Sequence, residues 1–140
     1  MRNRRGSTLI EFALAAPLLM LLAAGVLNYG FGLRAAMAVS AAARAGAQYG
    51  SLSPANASDT AGMQSAAASA APNLSGLVVT PVRVCRCSDG SAVSCGSACA
   101  SGPMATYVEV TARATAPNAF RYPGLPYTGA VSATAVMRAR

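Results

Sequence analysis

Few side chains in this sequence can do chemistry, and they stand far apart. The 140 residues hold four acids (Glu11, Asp59, Asp89 and Glu109), four cysteines, eleven arginines and no histidine. Asp59, Asp89 and Glu109 sit in separate segments with no motif around them. A general acid–base pair or an activated nucleophile therefore has nothing to build on, and no catalytic residue, metal ligand set or cofactor is assigned. Glu11 is a different case. It closes the run Gly6-Ser7-Thr8-Leu9-Ile10-Glu11, and from Phe12 to Leu33 no residue is charged and only Asn28 is strongly polar. That stretch is long enough to cross a bilayer as one helix of about 20 residues. A carboxylate at the mouth of such a helix is costly unless it has a partner charge or water. Were the chain cut between Gly6 and Ser7, Ser7 would carry an α-amino group, largely protonated near neutral pH. Glu11 would lie about one helical turn away. The two charges would pair within one subunit, or Glu11 would take the amine of a neighbour and fix the axial stagger of packed helices.

The cysteines are Cys85, Cys87, Cys95 and Cys99, spaced C-x-C-x7-C-x3-C in a loop rich in Ser, Gly and Ala. In an oxidising compartment two disulfides are expected, and four cysteines allow three pairings. A zinc site is the competing reading, weakened because no His or extra acidic ligand assists and the expected compartment is oxidising. A redox-active pair lacks the Cys-x-x-Cys spacing.

A short basic leader, glycine, four residues, glutamate and an unbroken apolar run together resemble the class III signal of type IV pilins and pseudopilins. Within that group the chain resembles the TadE-like branch, the minor pilins or pseudopilins of Tad (Flp, type IVc) pilus systems. The resemblance is carried by Arg5-Gly6-Ser7-Thr8-Leu9-Ile10-Glu11-Phe12-Ala13-Leu14-Ala15-Ala16-Pro17, then by Ala41 to Ala47, and weakly by Ala133 to Arg138. It implies cleavage between Gly6 and Ser7 by a prepilin peptidase. It also implies extraction from membrane lipid into a filament through an inner-membrane assembly platform, with other pilins as partners and adhesion, surface attachment and biofilm formation as outcomes. The expected location is the bacterial inner membrane, single-pass with the C-terminal domain extracytoplasmic, and then the pilus at the cell surface. Pilin helices of this kind loosen near a proline, so a kink is expected at Pro17, where the ring also crowds the carbonyl of Ala13. The family's major pilin is far shorter, so a chain with a domain beyond the helix fits a minor, priming or tip-located subunit. A type II secretion-like pseudopilin shares the leader signal. A secreted disulfide-containing binding domain with an ordinary signal peptide, cleaved near Ala36-Met37-Ala38, is an alternative of another class. A permanent anchor that never polymerises is another.

The charge of +7 does not argue for nucleic acid. Without Arg2, Arg4 and Arg5, eight arginines face four acids, scattered singly with no basic helix face. The leader arginines instead satisfy the positive-inside bias.

The elements that must position these residues divide the chain into a cytoplasmic leader (1–6), a long helix (7–50) and a small extracytoplasmic disulfide-stapled α+β domain (51–140). The helix is expected to cross the membrane over about 9–33 and to continue through 34–50, where alanine, the best helix former, dominates. Its extension should show small residues to a sheet and Arg34 and Arg44 to solvent. Gly50 and Pro54 end it. Ser58 or Asp59 offers an N-cap for a short second helix from about Thr60 to Ala71. A roughly three-stranded antiparallel sheet follows. Its first strand puts Val78, Thr80, Val82 and Val84 on one face, read as the apolar one, and Arg83, Cys85 and Cys87 on the other. The second, Tyr107 to Thr115, turns Val108, Val110, Ala112 and Ala114 inward, and the third, Val131 to Arg140, turns Val131, Ala133, Ala135 and Met137 inward. The long helix extension and the short helix supply the cover. The connection 117–129 carries Phe120, Tyr122, Leu125 and Tyr127 among prolines. These side chains cap the core or form an interaction loop. The Asn56-Ala-Ser58 and Asn73-Leu-Ser75 matches to the glycosylation pattern are read as chance.

Overall fold

The computed structural model describes residues 5–100, 102–116 and 129–140. Helix α1 runs from Arg5 to Ser51, 47 residues, continuously across Pro17. A 3-10 turn at Asn56–Ser58 leads into α2 (Thr60–Ala70). Four strands follow: β1 (Val78–Arg86), β2 (Ala92–Val93), β3 (Ala105–Thr115) and β4 (Ala130–Arg138). They form one sheet in the order β2-β1-β3-β4, antiparallel at every pairing. The expected α+β architecture is present, with one strand more than expected. The added strand is two residues long and exists because the cysteine-bearing loop folds back on the end of β1.

Two halves of α1 live in different surroundings. From Leu9 to Leu33 its large apolar side chains are exposed, Leu9 by 71%, Phe12 by 69% and Leu18 by 64%. From Ala35 onward one face is buried, at Ala35, Val39, Ala42, Ala43, Gly46, Ala47 and Gly50, the three-and-four spacing of a single helical stripe. Arg34 and Arg44 are exposed on the remaining surface, as expected.

The core lies between this stripe, α2 and the inner face of the sheet. Val39, Ala42, Ala43, Ala67 and Ala112 form one end of it, and Ala47, Met63, Val108 and Val110 the other. A core built on alanine needs close approach of backbones to exclude voids. Gly46 and Gly50 supply it. A Cβ at Gly46 would stand 3.0 Å from the Met63 carbonyl oxygen and 3.1 Å from Val110 Cγ1, and one at Gly50 would stand 2.8 Å from Val108 Cγ1.

β3 and β4 face the core as their alternation requires: Val108, Val110, Ala112 and Ala114 are buried, and Val131, Ala133, Ala135 and Met137 are half-buried. β1 corrects the reading of its apolar face. Val78 and Val82 point away from the helices, 61% and 48% exposed, while Val79 packs against the core and Cys85 is buried. The register decides this. Val79 pairs with Ala112 and Pro81 with Val110, and directly opposed residues share a face, so the odd-numbered positions of β1 go inward. Pro81 is tolerated because β2 pairs only with Cys85 and Arg86, leaving β1 an edge strand at Pro81.

Candidate functional site

Three places hold the residues that matter, and the fold keeps them apart. At the start of α1, the backbone of Gly6 and Ser7 forms the first turn, and Glu11 follows on an exposed position just over one turn further. The rise of an α-helix puts Ser7 and Glu11 about 6 Å apart along the axis. Pro17 lies in the exposed apolar half. This half has a mean hydropathy of 2.2 over its most apolar window and is long and apolar enough to cross a membrane.

At the far end of β1, the cysteines are joined as Cys85–Cys95 and Cys87–Cys99, one of the three possible pairings. Cys85 is within β1 and Cys87 directly after it, both buried, so the bridges tie the loop to the sheet. The Cys85 sulfur also meets the Thr106 hydroxyl across the β1–β3 pair at 3.6 Å. Beyond Cys87 the chain reverses at Gly90, whose positive φ of 86° suits glycine, and Asp89 accepts hydrogen bonds from the Ser91 amide and hydroxyl. Phe120, Tyr122 and Tyr127, the expected interaction loop, lie outside the described residues.

The third place is the junction of α1 with α2, where the structure adds residues that sequence reasoning left out. Asp59 caps α2: its Oδ1 accepts from the Gly62 amide and its Oδ2 from the Tyr49 hydroxyl, both at 2.9 Å. The Gly62 amide and then the Tyr49 hydroxyl hold the Asp59 carboxyl below its ordinary range. Asn56 donates to the Tyr49 carbonyl and Arg83 to the Ser58 hydroxyl, so Asn56 closes the end of α1. The capping role of Asp59 has a local signal in the residues after it. Tyr49 does not, because its bond to Asp59 spans a chain reversal.

The arrangement defines a class: one long apolar helix that can serve as a membrane anchor, continuing without a break into the core of a small disulfide-stapled α+β head. Residues 6–48 match the family model described as TadE-like protein. The likeness to that family lies in the long helix α1. The match ends where the head's own elements begin. No curated protein and no solved structure matches the chain.

Proposed function

We propose that this protein is a minor pilin, or pseudopilin, of a Tad-type IV pilus. The observation that carries the reading is α1 itself. One unbroken helix runs from Gly6 and Ser7 to the buried positions Ala35 and Val39, and its large apolar side chains between Leu9 and Leu33 are exposed. Such a helix needs lipid or other helices around it, and the two are interchangeable because packing of small residues replaces lipid contacts. A prepilin peptidase cuts between Gly6 and Ser7. The new amine and Glu11 pair, and Pro17 gives the helix a point at which it kinks when packed among its neighbours in the filament. The head stays extracytoplasmic, where its disulfides persist, and primes or caps a filament used for adhesion, surface attachment and biofilm formation.

The test is the N-terminal residue of the protein recovered from cell envelopes, for which Ser7 is expected. A start near Val39 would instead make the apolar half a discarded signal peptide and overturn the reading. An intact Met1 in cells that hold the peptidase would make the helix a permanent anchor.

A further inference from the structure

The sheet has two edges, and the chain treats them differently. In an antiparallel pair, successive residues turn their backbone groups to one neighbour and then to the other. The Ala116 amide donates to the Gly129 carbonyl and the Ala139 amide to the Thr106 carbonyl, at the two ends of the β3–β4 register. The odd-numbered residues of β4 therefore bond to β3, and the amides and carbonyls of Ala130, Ser132, Thr134, Val136 and Arg138 point away from it. Among the described residues no strand lies beyond β4. In β1 the Cys87 amide donates to the Ser91 carbonyl, so there the odd-numbered residues turn outward. That edge is blunted. Its outward positions include Pro81, which has no amide to offer, and Arg83, and β2 covers its end. β4 has no such device: from Ala130 to Met137 it contains no proline, glycine or charge. A second observation lies on the inner face. Val108, Val110 and Ala112 of β3 are fully buried, while Val131, Ala133, Ala135 and Met137 of β4, turned to the same side, are only half-buried. The core is open along the flank where a fifth strand would lie.

We propose that the β4 edge takes an added strand from another polypeptide, an extended segment running antiparallel to β4. Its backbone completes the ladder, and every second residue is apolar, because it lies beside the half-buried row from Val131 to Met137. A second copy does not fit the place. The Arg140 amide donates to the Ser51 carbonyl, while Val131 packs in the cluster of Val39 and Ala42, so β4 runs in the same direction as α1. Copies anchored by α1 in one membrane hold their β4 strands parallel, whereas the antiparallel ladder needs a strand running toward the membrane. Pairing β4 with the β1 edge of a neighbour meets Pro81. The connection 117–128 is a poor source of the strand, since Pro117, Pro123 and Pro126 break its run of donors. Only the exclusion of a second copy rests on the membrane reading of α1; the free edge stands without it.

The probe is a synthetic peptide with the β3 sequence, Ala105–Thr115, which pairs antiparallel with both β1 and β4 and carries Val108, Val110, Ala112 and Ala114 on one face. Full-length protein in micelles is mixed with it, and amide hydrogen exchange is read residue by residue. Without peptide, the Ser132, Thr134 and Val136 amides should exchange fast and those of Ala133 and Ala135 slowly. The peptide should slow the fast set, and a scrambled peptide of the same composition should not. Two neighbouring substitutions separate the edge from the ladder. Ser132→Pro removes an outward donor and is expected to keep the fold and both disulfides while binding the peptide about tenfold more weakly, the loss of about one hydrogen bond. Ala133→Pro removes a donor that bonds to β3 and should lower Tm. Fast amides that the peptide leaves fast, equal slowing by the scrambled peptide, wild-type affinity in Ser132→Pro, or equal unfolding of the two variants would each overturn the proposal. So would slowing of the same amides with rising protein concentration and no peptide. That result gives the edge to a second copy and leaves the minor-pilin reading, tested by the N-terminal residue, untouched.

Discussion

Asp59 shows how much of the head's organisation passes through one side chain. Its carboxylate receives the Gly62 amide at the start of α2 and the Tyr49 hydroxyl from the end of α1, so it ties two helices together as well as capping one. Both bonds favour the ionised form, which places its folded pKa below the unfolded value of about 3.9. The sign of the pH dependence follows. The contribution is complete above about pH 4 and is lost as pH falls through the depressed folded value. Asp59→Asn is therefore expected to lower the urea midpoint of the full chain in micelles at neutral pH, with the gap to wild type narrowing as pH falls below the unfolded carboxyl value. A gap that stays constant with pH would mean that the carboxylate charge contributes nothing. A neighbouring constraint comes from Gly62, whose missing side chain leaves the space that Tyr49 and Asp59 occupy.

Between elements, what matters is how closely α1 approaches α2 and β3. Gly50 faces the Met63 sulfur and the Val108 methyls. Alanine at a helical glycine normally gains about 1 kcal/mol of helix propensity. Overpacking a tight site costs about 1–3 kcal/mol. The Met63 sulfur can swing aside, but Val108 is fully buried on a central strand and cannot. Gly50→Ala should therefore be a net loss of about 1 kcal/mol, a fall of several degrees in Tm for a domain of this size. Thermal unfolding followed by circular dichroism checks the value, and a gain in Tm would mean that β3 yields. The disulfides act at the same scale. Each closes a short loop, with sequence separations of 10 and 12, and so holds the return segment β2 onto β1 where few apolar contacts would do so.

For the whole molecule, the division of α1 into a bare half and a buried half makes insertion and assembly separable. Insertion depends on the apolar run, which Glu11 does not create. Glu11→Ala should therefore leave carbonate-resistant membrane association intact and abolish recovery in sheared pilus fractions. Normal incorporation of that variant would remove amine pairing from the assembly mechanism. The head's folding is local to residues from Ala35 onward, so the same variant should keep both disulfides and a wild-type unfolding transition.

Much of this was legible from residue order alone. The long apolar helix, a cap at Ser58 or Asp59, the inward faces of β3 and β4 and the solvent face with Arg34 and Arg44 are all local patterns, set by periodicities of 3.6 and 2 and by capping chemistry. Tertiary structure alone decided three things: the inward face of β1, the pairing of the cysteines and the Tyr49–Asp59 contact. Both faces of β1 carry valine, so its orientation was settled only by register against β3. Spacing did not choose among three disulfide pairings, because that choice depends on where the return strand β2 lies. The last joins residues from different helices, and only the packing of α1 against α2, whose close approach Gly46 and Gly50 permit, brings them together.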